Sequence, residues 1–222
     1  MKRLLLTILA LILLLGACGK KEDDPEESGI LPIDNEEFVS DDEVVVTVND
    51  EEVLGNTFNL VYVQTKIQLY NFGEDVEDVD EVKELSLETV VEQELLRQNA
   101  QDKGITFSEE DVSNKFEELM DDGDGQVKQF LADYHLDEEA FKEQVSYSLY
   151  LDEYLQQEIS VNVSEDDITE MYAQIKEQSE DAPDLDEIKG DIEEQIKNQK
   201  QQQQMLDILD TLKEDATIET HI

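Results

Sequence analysis

Few residues in this chain are of types and spacings suited to chemistry. Cys18 is the only cysteine among 222 residues. It follows Leu15-Gly16-Ala17 and has no disulfide partner within the chain. The two histidines, His135 and His221, lie far apart in sequence. His135 sits between Tyr134 and Leu136 where two helices should meet, and a structural role is expected for it. Asp121-Asp122-Gly123-Asp124-Gly125 invites a calcium reading. An EF-hand frame with Gly125 at the sixth position, however, puts Met120 and Leu131 where oxygen ligands are required. A turn on an acidic surface is the better reading. With 59 Asp and Glu, carboxylate pairs are too common for any one to mark acid–base catalysis. The absence of tryptophan gives no support for sugar stacking. Nucleophile-elbow, P-loop and dinucleotide fingerprints are missing. Asn162-Val163-Ser164 fits a glycosylation sequon, but Ser164 is better used as a helix cap. No catalytic residue, metal site or cofactor is expected.

The charge balance narrows the partners. Sixteen Lys and Arg face 59 Asp and Glu, a formal net charge of −43. Nucleic-acid binding needs clustered cations and is excluded as a function class. Adsorption to anionic headgroups is disfavoured too. Such self-repulsion weakens the folded state unless salt screens it, which suits a saline or alkaline habitat.

The N-terminus reads as a leader. Lys2 and Arg3 precede a run from Leu4 to Leu15. As a helix this run would reach about 18 Å, short of the ~30 Å hydrocarbon core, so it suits a signal peptide over 1–17. Leu15-Gly16-Ala17-Cys18 resembles the lipobox of bacterial lipoproteins. That resemblance implies cleavage before Cys18, a lipid on its thiol, and attachment to the extracytoplasmic face of the cell membrane. Residues 18–43 are acid-rich, hold Pro25, Gly29 and Pro32, and lack periodicity. They are expected to be a disordered tether, extended by self-repulsion.

From Val44 the pattern becomes that of a folded domain, 44–222. The β-branched run Val44–Val48 predicts a strand, Asn49-Asp50 a turn, and Val53-Leu54 a second short strand. Phe58, Val61, Tyr62, Thr65 and Leu69 recur at helical spacing in a helix to about Phe72, with Gly73 placed to end it. An acidic loop over 74–81 leads to a helix over about 83–103, with Gly104 as its left-handed cap. Ser108 and Asp111 start a third helix through Met120. A short helix ends near Tyr134, and a longer one from Asp137 ends near Ile159. Ser164 and Asp167 repeat the capping pattern before a helix over about 165–178. A last helix over about 185–215 carries Leu185, Ile188, Ile192 and Ile196, then Leu206, Leu209 and Leu212. The Gln- and Lys-rich stretch Lys197–Gln204 lies between these groups and should be solvated. Ile218 and Ile222 suit a closing strand.

One helix has a wider apolar sector than a surface helix needs. Over 138–159, Phe141, Val145 and Leu149 form one stripe, and Tyr147, Tyr150, Leu151, Tyr154 and Leu155 another. Either both stripes are buried between neighbouring helices, or the tyrosines form a shallow cradle for unfolded chains. Tyrosine suits such a surface through its apolar face and polar tip. Met120, Met171 and Met205 could widen it. The candidate client-binding set is Tyr147, Tyr150, Leu151, Tyr154 and Met171.

This order of elements resembles the SurA/PrsA-type extracytoplasmic chaperones. Val46-Thr47-Val48-Asn49-Asp50-Glu51-Glu52-Val53 is similar to that family's opening strand, turn and second strand, with Asp50 replacing the usual turn glycine. Leu87–Val112 is similar to its second helix and following turn, and Phe130–Leu155 to its next segment. Leu185–Ile218 resembles the returning helix and final strand. The resemblance implies a mainly α fold: a helical SurA N-terminal-like chaperone domain, with a small antiparallel β element joining the N- and C-terminal strands. Many members carry a parvulin-type isomerase between the middle helices and the last one. Here only residues 164–184 fill that gap, without a histidine.

The function this implies is a membrane-anchored holdase for unfolded or emerging secreted polypeptides, working without ATP or isomerase chemistry. Its partners would be those polypeptides, and the membrane through the lipid on Cys18. One alternative is a lipoprotein scaffold or assembly factor gripping one specific protein. A peptidyl-prolyl isomerase is disfavoured by the missing insert.

Overall fold

A computed structural model describes residues 31–121, 125–179 and 183–222. The leader and Cys18, and the centre of the Asp121–Gly125 turn, lie outside the described residues. The chain forms two compact units, one over 1–153 with 212–222 and the other over 154–211.

The first unit begins with a three-stranded antiparallel sheet. β1 (Val44–Val48) and β2 (Glu51–Leu54) form a hairpin. Asn49 and Asp50 turn it with φ of 56° and 76°, the positive values that a two-residue hairpin of this hand needs. Consecutive Val45 and Val46 are both buried, which a regular strand forbids. The pairing slips between Val44 and Val46, a bulge that turns both side chains inward.

Gly55 follows at once and opens α1 (Gly55–Asn71). A Cβ there would lie 2.0 Å from the Ser40 carbonyl oxygen, and the Gly55 amide donates to the Glu43 carbonyl. Only glycine allows this approach. The expected apolar stripe on α1 is present, but Asn59, Leu60, Val63 and Lys66 are buried as well. α1 is therefore a central helix, covered nearly all round, not an amphipathic surface helix.

α2 (Val79–Asp102) starts four residues earlier than its apolar pattern suggests, because Asp78 caps it by accepting from the Glu81 amide. Gly104, with φ 85°, ends it as expected, and the Ile105 amide reaches back to the Ala100 carbonyl. Phe58, Val61, Tyr62, Val90, Val91 and Leu95 from α1 and α2 pack with Val45, Val46 and Val48 into one core.

α3 (Glu109–Asp121), α4 (Gln126–Asp133) and α5 (Glu138–Glu158) follow. Met120, Leu131, Ala140, Phe141 and Val145 from these helices meet Leu60 of α1 in a second cluster. His135, with φ 54°, is the left-handed residue closing α4, and the Leu136 amide returns to the Leu131 carbonyl. Its role here is the structural one expected.

The second unit holds the end of α5, α6 (Glu165–Gln178) and most of α7 (Leu185–Asp215). Ile168, Ile192 and Ile196 form a small buried cluster between α6 and α7, flanked by half-buried Met171, Tyr172 and Ile175, and Tyr154, Ile159, Met205 and Leu209 are buried in this unit too. Ser164 and Asp167 make the expected capping box. The last turn of α7 returns to the first unit. There β3 (Ile218–Thr220) pairs antiparallel with β1, giving the order β2-β1-β3. The fold is mainly α with a small antiparallel sheet joining the two ends, as expected. Among the described residues, no helix is long and apolar enough to cross a membrane.

The expected disordered tether through residue 43 needs correction. Ile33, Phe38 and Val39 pack against the first core, and Asn35–Glu37 form a 3-10 turn. Among the described residues, the packed part therefore reaches back at least to Ile33, eleven residues before β1.

Candidate client-binding surface

The first unit's functional surface depends on what holds α1. The strap over 33–43 is fixed to it by buried polar groups. The Asn59 side chain pairs with the Val39 backbone in both directions, at 3.1 and 2.9 Å, and also donates to Asp41. Tyr62 and Lys66, one turn apart, both donate to the Glu37 carboxylate. Burial alone would raise the Glu37 carboxyl. Hydrogen bonds from Lys66, Tyr62 and the Asp34 backbone, with the Lys66 charge, outweigh it and hold the group below the usual glutamate value. Burial, then the bond to Glu37 and its charge, push the Tyr62 phenol up. α1 thus has no freedom at its start or middle.

Its C-terminal end is different. Tyr70 is 58% exposed and Phe72 71% exposed, both far above the core aromatics. Gly73, with φ 75°, stops the helix, and the Glu74 amide returns to the Leu69 carbonyl. The chain then runs through Glu74, Asp75, Glu77 and Asp78, all exposed, while Val76 packs on the first core and pins the loop. The Asp75 carboxylate accepts from the Glu77 amide. No basic residue stands in the last turn of α1, so nothing offsets the negative end of its dipole beside the acidic loop. Two aromatic rings are thus held open beside a concentration of negative charge. Leu54 and Ile222 are the other large apolar side chains left open. Leu54 lies at the far end of α1, about 25 Å away at 1.5 Å per residue.

The set expected on α5 is placed otherwise. Tyr150, Leu151 and Tyr154 are only 7, 9 and 1% exposed. Tyr150 makes an edge contact with Phe107 and accepts from Gln101 at 3.2 Å. These three side chains are core, so the exposed cradle expected there is corrected to the buried alternative. Tyr147 is half-buried, and burial followed by the charge of Glu92 raises its phenol. Met171 is half-buried against the small core of the second unit, while Met120 and Met205 are buried. Sequence reasoning missed Tyr70 and Phe72. The available signal was the position of Tyr70 off the stripe of α1, and of Phe72 at the very end of the helix, just before a helix-stopping glycine and an acidic run.

The remaining features offer little chemistry. A cavity of about 220 Å³ lies between the strap and the α4–α5 junction, lined by Pro32, Phe38, Tyr134 and His135 among others. It is smaller than a typical small-molecule site. The His221 ring lies 2.9 Å from the Thr47 hydroxyl. Among the described residues, no group of three or more His, Cys, Asp or Glu is arranged to hold a metal ion.

No curated protein matches the chain. The SurA-like N-terminal domain family matches residues 4–155, which takes in β1, β2 and α1 to α4, and ends in α5 where the first unit gives way to the second. α6, α7 and β3 lie beyond the matched range. With well over half of its length matched, including the strap, the hairpin and the open end of α1, the chain belongs to the family of SurA-like N-terminal domains, a chaperone-type domain.

Proposed function

We propose that this protein is a membrane-anchored extracytoplasmic holdase that binds unfolded or emerging secreted polypeptides without ATP or isomerase chemistry. The observation that carries the reading is the open aromatic end of α1 on a domain of a chaperone-type family. Exposed rings capture apolar segments weakly and with little sequence demand. The lipobox-like Leu15-Gly16-Ala17-Cys18 supports anchoring through the Cys18 thiol, with residues 19–32 as the remaining tether. The dense negative charge keeps a loaded complex soluble.

The chain from Cys18 onward, carrying C18S to remove the lipid, should suppress aggregation of a chemically unfolded secreted protein at stoichiometric ratio. Suppression should persist in 1 M salt, because apolar capture is not screened. No suppression at low or high salt would remove this reading. Labelling cells with an alkyne fatty acid should mark the wild-type chain and not C18S; equal labelling would remove the anchor.

A scaffold for one dedicated partner is the second reading. It is favoured by the burial of Tyr150, Leu151 and Tyr154, which removes a broad aromatic cradle and leaves Tyr70 and Phe72 as a compact open pair. It predicts one stable complex from membranes in place of general suppression.

A further inference from the structure

We infer that the end of α1 is a docking surface for cationic polypeptide segments, in which Lys or Arg alternates with apolar side chains. This rests on the polypeptide-binding reading and names its client class and site. Tyr70 and Phe72 offer two open rings, and a ring face attracts a cation as well as an apolar group. Glu74, Asp75 and Glu77 follow within five residues of Phe72, all exposed. Among the described residues, no lysine or arginine forms an ion pair with any of these three carboxylates. Several of the described cations are engaged elsewhere: Lys66 with Glu37, Arg97 with Glu94, Lys189 with Glu165, Lys200 with Asp167, and Lys213 with Glu88 and Glu92. The negative end of the α1 dipole lies at the same place, without a basic residue to offset it.

Apolar rings and unbalanced carboxylates thus share one edge, which Gly73 and the buried side of Val76 hold in shape. An acidic segment would be repelled there. A purely apolar one would leave the carboxylates without partners. A cationic segment meets both, its charges on Glu74, Asp75 and Glu77 and its stems and apolar neighbours on Tyr70 and Phe72.

The test uses the C18S chain from residue 18 and fluorescein-labelled twelve-residue peptides of alternating Lys and Leu, with Glu replacing Lys in the comparison peptide. Fluorescence anisotropy at 0.15 M salt should show the Lys peptide binding at least about tenfold more tightly. The Y70S/F72S variant, and separately E74K/D75K/E77K, should each weaken it about tenfold. Circular dichroism should show both folded, since all five side chains are solvent-facing. The triple variant E170K/E194K/D210K changes net charge equally at exposed positions on α6 and α7 and should stay within about twofold of wild type. Equal weakening by the two charge-reversal variants would overturn the inference, because bulk charge would then explain the binding. So would an unchanged affinity in Y70S/F72S. Wild-type suppression of aggregation without preference for the Lys peptide would overturn the cationic surface and leave the holdase reading standing. Loss of suppression alone would overturn the holdase reading and leave the surface.

Discussion

The two units solve the same problem, holding helices in place on a strongly acidic chain, with opposite means. In the first, the polar links are buried: Glu37 with Tyr62 and Lys66, and Asn59 with the Val39 backbone. In the second, they stand at the surface: Lys189 bridges to Glu165, and Lys200 to Asp167 and the Asn162 carbonyl. The apolar support differs too. A three-stranded sheet, α1 and α2 share one continuous core, whereas the cluster that joins α6 to α7 has Ile168, Ile192 and Ile196 as its buried residues. Buried polar links are rigid and costly to break, while exposed ones are screened and cheap. The family match follows this division, covering the tightly held part and stopping near its edge.

The largest effect should come from breaking the buried link. Lys66→Met keeps the stem but leaves the Glu37 carboxylate buried without its cation, which costs about 3–5 kcal/mol. Urea unfolding should show it as a lowered midpoint at unchanged slope. Pairing it with Glu37→Gln should recover most of the loss, since the uncompensated charge is then gone. If Lys66→Met changes the midpoint no more than a surface substitution, the contrast between the units fails at its root.

Acid should act on the same link, less severely. Glu37 is held below the ordinary glutamate value, so its contribution is complete above the unfolded value of about 4.3. That contribution is lost as pH falls through the lower folded value. The strap over 33–43 should therefore hold its amide protection at pH 6 and lose it below about pH 4. Hydrogen exchange at the Val39 amide, bonded to Asn59, reads this directly. Protection that fades already between pH 7 and 5 would assign the docking to some other group.

Most of the fold was legible because local chemistry punctuates it. Asn49-Asp50, Gly73, Gly104, Ser108 with Asp111, and Ser164 with Asp167 each stand where a turn or cap requires them. Their signals need no distant partner. The strap was not legible, because its ordering depends on Glu37 finding Lys66 29 residues later, and glutamates are rarely buried without such a partner. Eleven acidic residues in the leader-proximal stretch hid three apolar ones. The client surface was half legible for a related reason. Periodicity on α5 reported correctly that its apolar sector is wide, yet width cannot say whether neighbours cover it. Tyr150 and Tyr154 are covered, while Tyr70, off the stripe of α1, and Phe72, on its spacing but at the helix's C-cap, are not. Position at the helix end was the informative feature.

Ser164→Ala tests the second unit at intermediate scale. It removes the hydroxyl that accepts from the Asp167 amide at 3.2 Å and donates to its carboxylate, a cap worth about 1 kcal/mol. The first turn of α6 should fray, read by faster exchange at the Asp167 amide, with β1 protection unchanged. If β1 protection falls equally, the two units do not open separately.

The smallest effect should come from Lys189→Gln. Glu165, by its hydrogen bond and charge, holds the Lys189 ammonium above its ordinary value, but the carboxylate it meets is largely exposed. A pair of this kind is screened by salt and held by two long side chains that lose freedom in making it. The urea midpoint should fall slightly at 0.1 M NaCl, and the difference from wild type should vanish at 1 M. Over the same range both proteins should become more stable, because salt relieves the repulsion of a chain with net charge −43. The two trends have opposite consequences for Lys189: salt strengthens the unit around the pair while removing the pair's own contribution. A deficit in Lys189→Gln that persists at 1 M would mean the link is held by packing of the lysine stem and not by charge, and the second unit would then resemble the first.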